Sequence, residues 1–509
     1  MTVIIDGSPL TIAEVVAVAH GTADVEVGGD LAARMIPALH IVRSVVANNE
    51  TVYGITTGFG ALATTHISGN EVTELQVDLL RSHAGAVGDL LDPVVVRAMM
   101  LLRARTLSQG HSGVRPEIVE FIIGLLQRDL IPAVPSQGSV GASGDLAQFA
   151  HLALPIIGEG YLLVDGAPVA SADVLRDAGI EPMTLEPKEG LSLLNGTEGM
   201  LAQGCLGVDR ARRLADAADA ACALSVEALL ASTVPLDPRI HALRPHPGQV
   251  HSAHTMAGLL EGSEIVASHR EDMGHAVQDA YSLRCAPQVH GAVRDSIEHA
   301  AVVFGRELGA VVDNPIVFAD DGDVISGGNF HGQPLAIALD LLAIAVTELG
   351  SISERRTDRI LDPQHSSGLS PFLAKRPGVE SGYMLAQYTA ASLVAESRVL
   401  AHPASIDSIP TSGSQEDHVS MGWGSARKLG GILDNITRVL AIELICAAEG
   451  TDQRAPLRPA RGTGAVLAAI RTRVAPLDGD RPPSPDIEGA AQLITEGGLD
   501  PIVHLEEQA

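Results

Sequence analysis

Residues Leu206 to Ser232 read LGVDRARRLADAADAACALSVEALLAS, with no proline and no glycine after Gly207. Alanine and leucine dominate, and alanine-rich faces let helices approach closely, so the stretch predicts one long helix packed against others. Leu335 to Glu354 is apolar nearly all round. Such a helix needs neighbours on every side, as at the centre of a bundle or at an interface between subunits. Further helices are expected over Ser381 to Leu400 and Ala426 to Glu449.

The rest of the composition agrees with an all-α protein. Of 509 residues, 34 are Lys or Arg and 62 are Asp or Glu, a formal charge of 34 − 62 = −28. That balance argues against nucleic acid or an anionic membrane as partner, since both are bound through a basic face. Hydrophobic residues make up 46% but aromatics only 3%, so a large core is built from Ala, Leu, Val and Ile, and disorder is excluded as the overall state. The opening MTVIIDGSPLTIAEVV has no basic segment ahead of an apolar one, so no secretory signal and a cytoplasmic location are expected. Asp340 and Glu348 interrupt the most apolar run, which reads as a core helix rather than a membrane span. Cys205, Cys222, Cys285 and Cys446 are widely spaced without a CxxC, and read as small core residues.

Four polar, glycine-rich segments interrupt this helical pattern: Tyr53 to Gly60 (YGITTGFG), Pro135 to Asp145 (PSQGSVGASGD), Ser326 to Gln333 (SGGNFHGQ) and Ile409 to Gly422 (IPTSGSQEDHVSMG). In such a protein these are where chemistry is expected. None fits a phosphate cradle or a dinucleotide fingerprint. The histidines of IHALRPHPGQVHSAH (His241, His246, His251 and His254) are split by Pro245 and Pro247, so they cannot share one helical face. They read as solvated loop residues, and no metal site is expected.

Ala142-Ser143-Gly144 stands apart. Glycine lets the chain bend so that the Gly144 nitrogen reaches the Ala142 carbonyl, and Ser143 carries a hydroxyl that can leave as water. Cyclisation with loss of two waters would make a five-membered ring with an exocyclic methylidene, a strong electrophile formed from the chain alone. Ser-Gly-Asp before an apolar run is equally an ordinary helix start.

The surrounding segments decide between these readings. VGASGDLA, YGITTGFG, RSHAGAVG, LLNGTEGM, QDAYSLRCAPQVHG, SGGNFHGQP and HPASIDSIPTSGSQEDHVSMG together closely resemble the aromatic amino acid ammonia-lyase family. The resemblance implies an all-α, long-helix bundle of the ammonia-lyase and fumarase-like fold. It divides the chain into residues 1–204, a loop-rich helical region carrying the prosthetic loop, and 205–509, the long-helix core. It implies a 4-methylideneimidazol-5-one group formed from Ala142, Ser143 and Gly144, with no external cofactor. Tyr53 resembles the base that takes the substrate β-proton, and Tyr281 the tyrosine that assists at the amine. Asn195 and Gln278 resemble amides holding the group and the amine region, and Arg284 the carboxylate clamp. Phe330 matches a lining aromatic, and His83 and Glu416 the residues facing an imidazole. A homotetramer with active sites shared between subunits is implied as well.

Within that family the Ser82-His83 pair and Glu416 point to histidine as substrate, with trans-urocanate and ammonia as products. A carboxylate pairs with an imidazole N–H, whereas against a phenyl ring it is an unpaired charge. The alternatives are a phenylalanine or tyrosine ammonia-lyase, a 2,3-aminomutase with the same group, or a non-catalytic helical scaffold. Two departures from the family pattern stand out: Gly413-Ser414 where Ala-Asn is usual, and Gln148-Phe149 where Pro-Leu is usual.

Overall fold

The computed structural model describes residues 1–58, 60, 67, 71–269 and 278–503. Helix accounts for 59% of the chain, as the Ala/Leu composition requires, and the sheets among the described residues are two-stranded. The chain divides into two compact units. The first takes Met1–Leu206, Ala301–Asp340 and Pro403–Arg427; the second takes Gly207–Ala300, Leu341–His402 and Lys428–Ala509.

The core of the first unit is crossed by the helix Pro93–Leu107. Pro93 occupies its first turn and the Asp92 carboxylate accepts the Val94 amide at 2.8 Å, which fixes the start. Every residue from Ala98 to Leu107 is buried, Arg103 and Arg105 included. Arg105 is satisfied by main-chain carbonyls, among them Ala310 at 2.7 Å. A short antiparallel pair, Val87–Leu90 with Pro135–Gln137, sets the chain after His83 beside the entry to the 135–145 loop. The two late segments that join this unit carry the SGGNFHGQ and IPTSGSQEDHVSMG loops. Trp423 Nε1 donates to the Ser136 carbonyl at 2.8 Å and the Met421 amide to Val140 at 2.9 Å, so the last of these loops is tied along the 135–145 loop.

Long helices run over Glu198–Ala228, Gln333–Leu361, Met384–Leu400 and Gly422–Asp452, where the composition placed them but longer in three cases. The first starts ahead of the expected Leu206 and so includes three glycines. Their helical cost of about 1 kcal/mol each is offset by close approach. A Cβ at Gly204 would lie 2.9 Å from the Phe304 ring, and in the second unit one at Gly207 would lie 2.9 Å from Leu429. Gln333–Leu361 is long and apolar enough to span a membrane, yet 72% of its apolar window is buried, the pattern of a core helix. Pro334, Ile337, Ile344, Glu348 and Arg355 are the residues of this helix left exposed.

Several buried polar groups of the second unit are paired. Arg356 meets Glu443 through Nε (2.5 Å) and Nη2 (2.8 Å), and Ser225 donates to the same carboxylate at 2.7 Å. The histidine-rich segment departs from its loop reading: Pro238–Ala242 and Pro247–Leu259 are helices, each opened by a proline in its first turn. His241 is buried, with Nε2 3.0 Å from the Pro235 carbonyl and Nδ1 3.0 Å from Gln249 Nε2. Cys205, Cys222 and Cys446 are buried as expected, and Cys285 is half-buried.

Candidate active site

Ala142-Ser143-Gly144 forms a sharp reversal immediately before the helix Leu146–Ala153. Ser143 has φ +53° and Gly144 φ +81°, so a residue with a side chain is held in the left-handed region. That conformation costs on the order of 1 kcal/mol and persists only where the surroundings impose it. Here Gly144 bridges Gly196, and the Asp145 amide donates to the Gly196 carbonyl at 2.8 Å. A Cβ at Gly144 would fall 1.9 Å from that carbonyl oxygen, so only glycine fits. Ser139 Oγ accepts the Gly141 amide at 3.0 Å and lies 3.3 Å from the Gly144 carbonyl, closing the turn from the other side.

Gly196 is held in turn. Arg103 Nη1 donates to the carbonyls of Ser192 (3.0 Å) and Asn195 (2.9 Å), while Nη2 pairs with Glu198. The Arg103 guanidinium also lies 5.6 Å from the Phe149 ring centre, so one departure residue packs beneath this clamp. The other, Gln148, is fully buried, and neither end of its amide has a partner among the described residues. Asn195 is buried with its Oδ1 likewise unpartnered. Asp145 does not cap the helix it precedes; its Oδ2 accepts the Met200 amide at 2.8 Å instead. Burial pushes this carboxyl up to about 8.

Glu416 joins the remaining residues of the first unit. Ser143 Oγ lies 3.5 Å from its Oε1, and Thr411 Oγ1 donates to its Oε2 at 2.8 Å. The charge of Glu416 also acts on Tyr53 and on His83. Burial raises the Tyr53 phenol above its ordinary value, the Gly60 amide pulls it back and Glu416 raises it further. Among the described residues no cation acts on Tyr53, although a phenolate would call for one. Burial lowers the His83 imidazole against the opposing pull of the Leu79 carbonyl and Glu416, and its Nδ1 stands 2.9 Å from that carbonyl. Phe330 is half-buried in the turn before Gln333, and residue 59 of the YGITTGFG segment lies outside the described residues.

Gln278, Tyr281 and Arg284 belong to the second unit. Tyr281 opens the short helix Tyr281–Arg284 and is 71% exposed, with the Arg284 guanidinium 4.7 Å from its ring centre. Arg284 Nε donates to the Asp279 carbonyl at 3.2 Å, and among the described residues its Nη atoms have no hydrogen-bond partner. Gln278 and Arg284 line an open cavity of about 1680 Å³ together with Asp279, Cys285 and His254. Sequence reasoning passed over Arg103, Asp145 and Thr411. A signal for the first was present, because VRAMMLLRARTL sets arginines in an unbroken apolar run where they must find buried partners.

The sequence profile described as aromatic amino acid lyase matches residues 10–472. A histidine ammonia-lyase of Symbiobacterium thermophilum is 52% identical over 97% of this chain and 96% of its own length. The crystal structure of histidine ammonia-lyase from Trypanosoma cruzi is 42% identical with a TM-score of 0.91, covering 100% of this chain and 96% of that one. Tyrosine aminomutase from Streptomyces globisporus, 39% identical, superimposes with a TM-score of 0.94 over 99% of both chains. On the extent of these matches and on the triad geometry, the chain belongs to the aromatic amino acid lyase family.

Proposed function

We propose that this protein is a carbon–nitrogen lyase that eliminates ammonia from L-histidine to give trans-urocanate, the first step of histidine degradation. The observation that carries the reading is the grouping of Tyr53, His83 and Ser143 around the one carboxylate of Glu416. An imidazole suits such a site because its N–H has a carboxylate to meet, and a phenyl or phenol ring does not.

The residues fit a 4-methylideneimidazol-5-one formed from Ala142, Ser143 and Gly144. Both later residues of the triad already have the left-handed φ of a tight turn, and the unpartnered Asn195 Oδ1 is a buried polar atom in want of a partner. Bound in the chain, such a group supplies an electrophilic carbon that turns the substrate amine into a leaving group. Tyr53 takes the β-proton at its phenolate oxygen, to which the Gly60 amide donates. The N-terminus of the helix Leu146–Ala153 adds positive potential beside the triad. Asn195 and Gln278 hold the amine region, Tyr281 assists there, and Phe330 lines the pocket. The Arg284 fork binds the substrate carboxylate through two parallel hydrogen bonds.

A homotetramer with shared sites follows as part of the same reading. Exposed Tyr281 beside the Arg284 guanidinium, and the exposed Ile337 and Ile344 of a core helix, support completion by neighbouring copies. Four unpaired cysteines suit the reducing cytoplasm, where we place the enzyme.

Incubation with histidine, phenylalanine and tyrosine, following urocanate, cinnamate and coumarate absorbance, is the direct test. Urocanate alone is expected, while an amino-shifted product would favour the aminomutase chemistry of the Streptomyces globisporus neighbour. The intact subunit mass should fall short of the sequence mass by two waters. Ser143→Ala should show the full mass of its own sequence, with no water lost, and lower kcat by more than about a thousandfold; a fully active Ser143→Ala removes the reading.

A further inference from the structure

We propose that Thr411 is a positioning residue for substrate selection, holding one oxygen of Glu416 so that the other is presented to the imidazole ring. The inference rests on the proposed role of Glu416 and extends it to a residue outside the expected site. Thr411 and Glu416 are paired twice through the main chain, Thr411 amide to Glu416 carbonyl at 2.9 Å and the reverse at 3.3 Å. Between them Ser412, Gly413 and Ser414 all have positive φ, at +48°, +60° and +68°. Three consecutive left-handed residues close the loop in the shortest way, and the departure Gly413 supplies the residue that takes this conformation without strain.

The loop therefore delivers a Thr hydroxyl to a fixed place beside the carboxylate. Thr411 Oγ1 donates to Glu416 Oε2 at 2.8 Å, a charge-assisted bond that fixes the plane of the carboxylate. The opposite oxygen, Oε1, has Ser143 Oγ at 3.5 Å. The two oxygens thus have partners with different fates. Formation of the ring from the triad expels the Ser143 hydroxyl as water, so Oε1 loses that neighbour, whereas Oε2 keeps Thr411. Among the described residues, maturation leaves a carboxylate held by Thr411 on one side and without a hydrogen-bond partner on the other, where His83 and Tyr53 also feel its charge.

Three variants test this: Thr411→Val, which keeps the shape and deletes the hydroxyl, Thr411→Ser, which restores it, and Glu416→Gln as the reference. Thr411→Val should raise KM for L-histidine on the order of tenfold, with the two-water mass deficit intact. Its inhibition constant for L-phenylalanine, which has no imidazole to meet the carboxylate, should stay within about twofold of the parent, and Thr411→Ser should recover the parental KM. A general loosening of the loop would instead weaken both amino acids together, and that result overturns the proposal. So does an unchanged KM in Thr411→Val when Glu416→Gln raises it. An unchanged KM in Glu416→Gln removes the reading of Glu416 itself, and the proposal falls with it. Should Thr411→Val be recovered only unfolded, the same comparison is made between Thr411→Ala and Thr411→Ser, and equal KM values in that pair overturn it.

Discussion

Asp145 in the first unit and Asp219 in the second are both completely buried, yet their surroundings drive them in opposite directions. Around Asp145 the partners are neutral, the Met200 amide at 2.8 Å and the Ser139 hydroxyl at 3.4 Å. Burial therefore pushes it up to about 8, and the Glu198 charge acts in the same sense. Burial opposes ionisation of Asp219 too, but Arg294 Nη2 at 2.7 Å and His290 Nδ1 at 2.6 Å outweigh it and hold this carboxyl well below the usual range. Arg294 and His290 match the buried charge of Asp219, whereas the carboxyl next to the triad is held as a neutral acid. An uncompensated buried acid is a poor structural element, and this one adjoins the triad at Gly144.

The contrast is broken most forcefully by removing the match. Arg294→Met leaves Asp219 with His290 as its neighbour, and losing one partner of a buried pair costs about 3–5 kcal/mol. The denaturation midpoint should fall accordingly, and a change under about 1 kcal/mol would mean that the network is not what holds the second unit. A smaller effect, of a different kind, is expected from Asp145→Asn. The folded value of Asp145, about 8, stands above its unfolded value of about 3.9, so the stability linked to its proton is fully present below the unfolded value and lost as pH rises through the folded one. Asparagine keeps the neutral form, so the melting temperature of the variant should gain on the parent as pH climbs from about 4 to 8. For Asp219 the sign reverses: its folded value is depressed, and its contribution is present above the unfolded value and lost on acidification. Parallel melting curves for Asp145→Asn and the parent across that range would erase the distinction between the two carboxyls.

The second unit was the more legible in sequence. Long alanine- and leucine-rich runs announce helices by composition, but their ends were missed, as at Gly199 and Gly204 on the first-unit end of Glu198–Ala228, tolerated for packing reasons that lie in distant residues such as Phe304. The histidine-rich segment reads as loop, although Pro238–Ala242 and Pro247–Leu259 are helices. The first unit was legible as a set of loops but not as an assembly. Nothing in the composition says that 301–340 and 403–427 join residues 1–206, or that Thr411 would meet Glu416 across a run of left-handed residues. The candidate residues came from motif resemblance, which names positions without their electrostatics. Hence Tyr53 was singled out as the base without its surroundings, which are burial, the Gly60 amide and the Glu416 carboxylate.

That surrounding sets the smallest and most specific effect. A phenol acting as base must first lose its proton, and with its value raised by burial the phenolate fraction of Tyr53 grows about tenfold per pH unit through the neutral range. His83, lowered by burial, is already neutral there and contributes no opposing limb. Activity should therefore climb towards alkaline pH, and a kcat profile flat from neutral to alkaline conditions would exclude Tyr53 as the base. Glu416 provides the finer control. Its charge disfavours the phenolate, so Glu416→Gln, whatever it does to KM, should move the rising limb of kcat to lower pH by up to about one unit. A limb that stays in place, or moves upward, would mean that Glu416 does not act on Tyr53 in the working enzyme. The carboxylate that selects the imidazole would then have no part in the cost of making the base.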